Sequence, residues 1–366
     1  MNGISAVDLG PFAIGPGHPA RLVAEVGINH NGDLELALRM LRAAHEAGAD
    51  IVKFQTHIAD AEMLPDRDPA ASAGSHVQGS LYEIMCQSHL DLEDHLALKA
   101  EAESLGLLFL STPFCVEAVD LLEEVGVGAY KVGSGEVTNL PFLDYLAGKG
   151  RPVILSTGTG DWAEVERSVE VIRGHGAPLV LLQRTSNYPT RWEEVHLRVM
   201  DRMRERFALP VGLSDHCQGN YACFAAVARG ASLVEKHFTL SRQLPGVDQS
   251  SSIEPEQLRD LVQGVRAIEA ALGGREKRLN AEALKVRQGF SESVVTIAPV
   301  RAGERFRERV NIWVKRPGSG IPSHELARVS GKRALCDLPA GRLLSPDEIE
   351  GYWAVSLIGW SRQWFD

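Results

Sequence analysis

The stretch RLVAEVGINHNGDLELALRMLRAAHEAG (21–48) contains the pattern that decides the fold. It begins with a short apolar run, RLVAEVGI (21–28), which is typical of a parallel strand buried on both faces. A polar turn follows, and then an amphipathic stretch, LELALRMLRAAHEAG (34–48), which is typical of a helix that ends at a glycine. One strand followed by one helix is the repeating unit of an α/β fold.

The same unit recurs along the chain. Further strand-type runs lie at 50–56, 107–112, 129–134, 152–157, 179–185, 210–214 and 232–238. Helix-type stretches lie at 94–106, 116–125, 140–148, 161–174, 193–206, 219–229 and 255–273. Eight such units predict an α/β fold of the (β/α)8 TIM-barrel type. An open, doubly wound sheet is the alternative, but no G-x-G-x-x-G follows the first strand, which disfavours it.

Composition changes divide the chain into five predicted parts. Residues 1–20 form an N-terminal segment that closes the barrel bottom, residues 21–273 the catalytic barrel, and residues 274–290 a charged linker. Residues 291–350 form a small β-rich domain, and residues 351–366 an aromatic tail with three tryptophans, which is expected to pack on its own chain or on another subunit. The insertion at 57–80 lies where barrel loops carry function, so we expect a lid there.

Composition also limits the partners. The net charge of −10 argues against nucleic acid or an anionic membrane as the main partner, while a small anionic substrate stays possible. Five cysteines without a C-x-x-C pattern predict reduced thiols in a cytoplasmic protein. The N-terminus does not read as a signal peptide, and no apolar run has the length of a membrane span.

Polar side chains gather where the predicted strands end, and (β/α)8 enzymes have their active sites at that end of the barrel. A single case would be explained by a helix cap or a turn, but all eight strands show it. The strand-end residues are Glu25, Lys53, Gln55, Ser111, Thr112, Lys131, Ser134, Glu136, Ser156 and Thr157, followed by RTSNYPT (184–190), SDH (214–216) and EKH (235–237).

Two histidines in this set predict a metal site. His216 and His237 are one strand–helix unit apart, so they end adjacent strands that lie ~4.8 Å apart. Two imidazoles at that separation can share one cation and leave positions open for water or substrate. Because side chains alternate along a strand, Glu235 shares the face of His237 and Lys236 points toward the helices. Asp215 is expected to cap the next helix or to orient a histidine.

The cationic and hydroxyl side chains predict an anion site. Ammonium groups, hydroxyls and backbone N–H groups are the donors that a phosphate dianion requires. The glycines of GSGE (133–136) and STGTG (156–160) allow the backbone to approach a ligand. The side chains in question are Lys53, Lys131, Ser134, Ser156 and Ser214.

Several segments together resemble the sialic acid synthase family: AEVGINHNGD (24–33), GADIVKFQT (48–56), FLSTPF (109–114), AYKVGSGE (129–136), VILSTG (153–158), TSNYPT (185–190), GLSDH (212–216), VEKHFT (234–239) and KRPGSGI (315–321). The resemblance implies condensation of phosphoenolpyruvate with an N-acetylated hexosamine, such as N-acetylmannosamine, to a nine-carbon 2-keto sugar acid and phosphate. The C-terminal domain resembles the antifreeze-like (SAF, β-clip) domain of the family. In the family this domain closes the partner's active site within a domain-swapped homodimer.

The resemblance also implies roles for single residues. His216 and His237 match the ligands of a divalent metal, which is Mn, Mg, Co or Zn. Glu25, Glu136 and Glu235 match acidic residues near the reacting atoms, among which the sequence does not choose the general acid or base. The phosphoenolpyruvate site is implied at Lys53, Thr112, Lys131, Ser134, Ser156, Ser186 and Ser214. The sugar site is implied at Gln55, Tyr188, Asp248, Phe290 and the partner-donated Arg316.

The chain departs from the family pattern on the sugar side. Arg184 stands where a cysteine is usual, and LSRQLPGVDQSSS (240–252) and GFSES (289–293) differ from the usual segments. The hexosamine therefore stays open, and a legionaminic or pseudaminic acid synthase acting on a diacetamido deoxy sugar is one alternative. A Schiff-base aldolase with Lys131 as nucleophile and a non-catalytic sugar-binding protein are two others.

Overall fold

The computed structural model describes residues 3–65, 80–187 and 189–353. Contacts between residues divide the chain into two units, Met1–Gly273 and Gly274–Asp366. A hairpin of β1 (Val7–Asp8) and β2 (Ala13–Ile14) opens the first unit. Eight strands follow: β3 (Arg21–Gly27), β4 (Ile51–Thr56), β5 (Leu108–Pro113), β6 (Tyr130–Val132), β7 (Val153–Ser156), β8 (Leu179–Arg184), β9 (Val211–Asp215) and β10 (Leu233–His237).

These eight strands form one parallel sheet in the order β5-β4-β3-β10-β9-β8-β7-β6. The two end strands, β5 and β6, lie side by side, so the sheet curls into a nearly closed barrel. The prediction of a (β/α)8 TIM barrel is confirmed. All eight predicted strands are present, each with both ends within two residues of the predicted range.

Helices cover the outside of the barrel because their apolar faces pack on the strands. They are α1 (Leu34–Ala47), α4 (Leu92–Ser104), α5 (Val116–Val125), α6 (Leu140–Ala147), α7 (Trp162–Gly174), α8 (Val199–Phe207), α9 (Tyr221–Ala228) and α10 (Pro255–Leu272). One prediction was wrong at its start: the helix expected at 193–206 begins at Val199. His196 has a φ of 49°, which no α-helix accommodates, so the helix starts beyond it.

The barrel interior is filled by apolar side chains at the amino ends of the strands. Val23, Ile51 and Leu233 belong to this buried cluster, and the hairpin adds Val7 and Ile14 to it. The hairpin therefore packs on the lower end of the barrel, while the opposite end, where the strands finish, carries the polar residues. In (β/α)8 barrels the amino-terminal end typically contributes stability and the carboxyl-terminal end carries the active site.

The insertion after β4 contains two short helices, α2 (Ala59–Glu62) and α3 (Leu81–Gln87). A small apolar cluster of Ile28, Ala59, Ile84 and Met85 packs both helices against the turn after β3. Residues 66–79, the middle of the predicted lid, lie outside the described residues.

The second unit has its own apolar core, which includes Val294, Phe306, Ile312, Val329 and Leu344. Its elements are α11 (Ala281–Phe290), the antiparallel strands β11 (Ser293–Thr296) and β12 (Ile312–Lys315), and α12 (Leu326–Val329). The predicted linker thus contains α11. Most of the aromatic tail, residues 354–366, lies outside the described residues.

Two further sequence predictions have a structural outcome. All five cysteines are free thiols, as their number and spacing predicted. None of the helices in the described residues combines the length and the apolar character of a membrane span.

Candidate active site

The buried polar side chains of the first unit gather at the carboxyl end of the barrel. Strand register brings them together: His237 lies beside Glu25, and Glu235 beside Ser214. Ten of the residues singled out from the sequence are buried here: Glu25, Lys53, Thr112, Lys131, Ser134, Ser156, Ser214, His216, Glu235 and His237. Burying polar groups is costly unless they are paired, so their mutual contacts define the site.

A carboxylate lies between two buried lysines at the centre of this group. Glu235 Oε2 is 3.7 Å from Lys53 Nζ, and Glu235 Oε1 is 3.8 Å from Lys131 Nζ. The Ser214 hydroxyl donates a hydrogen bond of 2.8 Å to Glu235 Oε1. Lys131 also donates to Ser156 Oγ at 2.8 Å. The lysines are thus held in place by groups that an anionic ligand can replace or supplement.

Burial and charge set the protonation of this centre. Burial lowers the pKa of Lys131 to about 7, although Glu235 acts in the opposite direction. Burial alone would raise the pKa of Glu235, but the charges of Lys131 and Lys53 outweigh it and hold that pKa at about 2. Glu235 is therefore a permanent carboxylate, whereas the charge of Lys131 depends on pH and on what binds beside it.

Hydroxyl groups and a close backbone approach border the lysines. The hydroxyls of Ser134 and Ser186 are 3.1 Å apart, and Lys53 donates to Thr112 Oγ1 at 3.0 Å. A Cβ atom at Gly158 would lie 2.6 Å from Ser186 Oγ and 3.0 Å from the Arg184 carbonyl oxygen, so a larger residue would force these groups to shift. The two loops that contain Ser134 and Ser186 therefore meet beside the lysines.

The two histidines lie side by side at the ends of β9 and β10, with their ring planes tilted by 49°. The ring centroids of His216 and His237 are 5.2 Å apart, and both side chains are buried. Burial, followed by the charge of Arg184, holds the pKa of His216 well below its usual value. Neutral imidazole is the form that binds a metal, at a metal–nitrogen distance of about 2.1 Å, so the pair fits a shared divalent cation. Among the described residues, no group of three or more His, Cys, Asp or Glu side chains has the arrangement of a metal site.

A second group of carboxylates and amides lies next to the histidines. Gln55 Nε2 donates to Glu25 Oε1 at 3.0 Å, while Glu25 Oε2 pairs with Lys53 at 2.6 Å. Asp248 Oδ2 is 3.6 Å from His237 Nδ1. A Cβ atom at Gly27 would lie 3.3 Å from Gln55 Nε2, 3.4 Å from Glu25 Oε1 and 3.5 Å from Asp248 Oδ2. These three side chains therefore border one space above Gly27, whose φ of 57° also favours glycine.

Glu136 differs from the other two candidate carboxylates. It is half-buried on the turn after β6, and Asn139 donates to its Oε2 at 2.6 Å. Burial raises its pKa, in contrast to the lowered pKa of Glu235. A raised pKa suits a carboxyl group that takes up and releases a proton near neutral pH.

Lys236 and Asp215 form a buried ion pair on the outer face of the strands. Lys236 Nζ lies 2.5 Å from Asp215 Oδ2, and it also donates to the carbonyls of Cys217 and Gly219. Alternation along β10 predicted this direction for Lys236. Asp215 does not cap α9, whose N-cap is Asn220. Its two oxygens accept from Lys236 and Cys223 and from the Cys217 N–H, and an orienting role toward a histidine stays a prediction.

Three predicted sugar-site residues lie outside the described part of the barrel unit. Tyr188 lies outside the described residues. Phe290 and Arg316 belong to the second unit, where the Arg316 guanidinium lies 5.3 Å from the centre of the exposed Phe290 ring. Their proposed contact with a sugar stays a prediction.

Sequence reasoning missed His57 and Glu62, which the structure places directly behind Gln55. His57 Nε2 is 3.0 Å from Gln55 Oε1, and His57 Nδ1 is 2.8 Å from Glu62 Oε2. The sequence contained a signal for His57, because side chains two residues apart along a strand share a face and His57 is two residues after Gln55. Glu62 had no such signal, since it comes from the first helix of the insertion.

Known families and proteins resemble this chain over most of its length. The NeuB family model matches residues 40–277, and the SAF domain model matches residues 291–350. The N,N'-diacetyllegionaminic acid synthase of Legionella pneumophila is 38% identical, over 90% of this chain and 94% of that protein. The enzyme of the same name from Campylobacter jejuni is 37% identical, over 86% of this chain and 95% of that protein.

A solved structure agrees with this assignment. The crystal structure of the N-acetylneuraminic acid (sialic acid) synthetase from Leptospira borgpetersenii serovar Hardjo-bovis, in complex with citrate, superposes with a TM-score of 0.70 at 31% sequence identity. The match covers 77% of this chain and 95% of that one. The chain therefore belongs to the NeuB family of synthases, with a SAF domain at its C-terminal end.

Proposed function

We propose that this enzyme condenses phosphoenolpyruvate with an N-acetylated hexosamine to give a nine-carbon 2-keto sugar acid and phosphate. One observation carries the proposal: two buried lysines flank Glu235 within 4 Å, directly beside the histidine pair. Such a centre suits a small, highly charged anion next to a metal-polarised carbonyl. The resemblance to synthases of nine-carbon sugar acids supports the same reaction.

In this proposal the lysines and hydroxyls hold phosphoenolpyruvate. Lys131 and Lys53 neutralise its phosphate and carboxylate, and Ser134, Ser186 and Ser214 donate hydrogen bonds. Thr112 and Ser156 support the two lysines, with which they share hydrogen bonds. Arg184 adds positive charge to this side, since its charge helps to lower the pKa of both Lys131 and His216.

His216 and His237 would hold the divalent metal, which is Mn, Mg, Co or Zn. A bound metal would supply Lewis-acid polarisation of the open-chain aldehyde. The carbon–carbon bond forms between the methylene carbon of phosphoenolpyruvate and the aldehyde carbon. Water adds at C2, and the carbon–oxygen bond to phosphate then breaks.

The reaction also requires proton transfer by a general acid or base. Among the three candidate carboxylates, we assign this role to Glu136. Burial raises the pKa of Glu136 toward neutral pH, whereas Glu235 is held as a carboxylate between two lysines. Glu25 is engaged by Lys53 and Gln55. Its place above Gly27 suits binding of a sugar hydroxyl instead.

We assign the sugar to the space bordered by Glu25, Gln55 and Asp248. The family resemblance adds Tyr188 to this sugar site. Phe290 and Arg316 would complete that space from the partner within a domain-swapped homodimer. The two relatives named above are N,N'-diacetyllegionaminic acid synthases, which favours a diacetamido deoxy hexose as the sugar. N-acetylmannosamine is the second choice.

The decisive experiment offers phosphoenolpyruvate labelled with 18O at the bridging oxygen together with a panel of N-acetylated hexosamines. Mass spectrometry should find a nine-carbon keto acid with one sugar and the label in the released phosphate. Label in the keto acid would contradict the proposed bond cleavage. Absence of any keto acid across the panel, with metal supplied, would favour a binding protein.

The lowered pKa of Lys131 leaves one other reaction to separate, since a lysine with a pKa of about 7 is also what a Schiff-base aldolase uses. Borohydride reduction in the presence of pyruvate should leave the protein unmodified under our proposal. A stable adduct on Lys131, with turnover that chelators do not affect, would support the aldolase.

A further inference from the structure

Behind the sugar side of the site lies a buried imidazole that the reaction itself does not use. His57 follows β4 at the start of the insertion, and only 6% of its surface is exposed. Its ring stacks on Phe114, with centroids 4.2 Å apart and planes 15° apart. His89 Nδ1 lies 2.8 Å from the His57 carbonyl and holds the backbone at this point. The ring therefore has one fixed position.

The charge on Glu25 decides which way the Gln55 amide points. Glu25 Oε2 is bound to the Lys53 ammonium at 2.6 Å, so this group is a carboxylate and only accepts hydrogen bonds. Its other oxygen lies 3.0 Å from the end of the Gln55 side chain. That end must be the NH2 group, because a carbonyl there would place two acceptors against each other. The Gln55 carbonyl therefore faces His57 Nε2, at 3.0 Å.

His57 consequently meets an acceptor at each ring nitrogen. Nε2 faces the Gln55 carbonyl, and Nδ1 faces a Glu62 oxygen at 2.8 Å. The other Glu62 oxygen accepts the Ile58 N–H at 2.6 Å, which fixes that carboxylate. A neutral imidazole has one N–H and satisfies only one of two acceptors. Both contacts are hydrogen bonds only when the ring carries two protons.

The surroundings allow that charge. Glu62 lies against the ring with 6% of its side chain exposed, so the imidazolium is paired and buried with its counter-charge. Other titratable groups also face this pair: His89 bonds the His57 carbonyl, His30 interacts with the His57 ring, and Cys115 and Glu136 interact with Glu62. Burial, followed by the charge of His95, lowers the pKa of His30 to about 4, and His30 is therefore neutral.

We propose that His57, held as an imidazolium by Glu62, is a positioning residue that fixes the Gln55 amide in one orientation. One Gln55 N–H then stays on Glu25, and the other borders the space above Gly27. That side of the site thereby presents a donor and selects for an acceptor oxygen on the sugar, such as a hydroxyl or acetamido oxygen. The inference rests on the proposed function, in which the sugar occupies this space.

The kinetic test uses His57→Phe, which keeps an aromatic ring against Phe114 but removes both N–H donors. We expect the KM for the hexosamine to rise about tenfold, the effect of a lost hydrogen bond, with the KM for phosphoenolpyruvate little changed. His175→Phe is the matched control, because His175 also bonds a carboxylate, Asp144 at 2.8 Å, but at an exposed helix end. It should leave both KM values unchanged.

A double-mutant cycle separates positioning from a general structural role. If His57 acts through Gln55, then His57→Phe should change the hexosamine KM less than about twofold in a Gln55→Ala background, since coupled residues are not additive. Equal effects in both backgrounds would overturn the inference. A wild-type chain that makes no keto acid would instead overturn the proposed function.

A spectroscopic test reads the protonation of the wild-type ring directly and needs no turnover. In the wild-type chain labelled with 15N-histidine, both ring nitrogens of His57 should carry a proton, with the signal assigned by its loss in His57→Phe. Glu62→Gln, which offers an amide to Nδ1, should convert the ring to a singly protonated tautomer. A wild-type His57 with only one protonated nitrogen near neutral pH would also overturn the inference.

Discussion

Burial disfavours the charged forms of both Lys131 and Glu235, but neighbouring charges outweigh burial only at Glu235. Lys131 has its pKa lowered to about 7 because burial disfavours its charge more than Glu235 favours it. Glu235 keeps its charge because two lysines and the Ser214 hydroxyl outweigh burial. The site thus has a fixed negative charge at Glu235. An anion bound beside Lys131 would favour the protonated form of that lysine.

This balance predicts how phosphoenolpyruvate capture depends on pH. Lys131 is charged below its pKa of about 7 and neutral above it, so kcat/KM for phosphoenolpyruvate should fall as pH rises from 7. The measurement is a kcat/KM profile between about pH 6 and about pH 9. Lys131→Arg, which stays charged throughout, is the control and should lose the fall even if its overall rate is lower. A flat wild-type profile would contradict the assignment.

The neighbouring strands β9 and β10 carry two different sets of polar residues on their two faces. Their inner face carries Ser214, Glu235 and His237, and their outer face is tied by Lys236 and Asp215. The ion pair also holds the Cys217 and Gly219 carbonyls, which belong to the turn directly after His216. Strand alternation therefore couples an outer structural pair to the inner histidine pair, the candidate metal site.

Lys236→Met should show this coupling. The variant leaves Asp215 buried without its ammonium partner, and we expect the free energy of unfolding to fall by about 3–5 kcal/mol in urea titrations. Divalent-metal affinity, measured by titration calorimetry, should fall as well. Lys236→Met combined with Asp215→Asn removes the unpaired charge and should recover part of the stability. An unchanged unfolding midpoint in the single variant would show that the pair contributes little.

At the scale of the whole molecule, the two units contribute different chemistry. The barrel unit holds the candidate metal, anion and carboxylate groups, while the second unit presents Arg316 against the exposed Phe290 ring. Stacking on an aromatic ring keeps a guanidinium ordered at a surface, which suits a group that is delivered to another site. The proposed domain-swapped homodimer would use it in that way.

Mixing of two inactive variants tests the exchange. Lys131→Met lacks an anion-binding group, and Arg316→Ala lacks the delivered guanidinium, so each alone should have little activity. If Arg316 acts in the partner's site, a mixed dimer contains one intact site, and random mixing should restore about a quarter of the wild-type activity. If Arg316 acts within its own chain, both sites of the mixed dimer are defective and mixing restores nothing.

The positions of the strands and of most candidate residues could be predicted because they depend on local patterns. Apolar runs of strand length predicted β3 to β10, and alternation predicted that Glu235 and His237 share a face while Lys236 points away. The late start of α8 could not be predicted, because it depends on the left-handed backbone of His196. Neither could the link from Glu62 through His57 to Gln55, which joins a strand end to a helix of the insertion.

The sequence by itself determined the (β/α)8 barrel, the small β-rich domain and the set of side chains at the strand ends, because periodicity and residue type act over short distances. Which of those side chains meet, and how burial and neighbouring charges shift their pKa values, depends on the folded barrel. Lys131 and Glu136 have shifted pKa values because of burial, and Glu235 because of two lysines from other strands. Burial and long-range charge arise when the barrel closes, so no local pattern contains them.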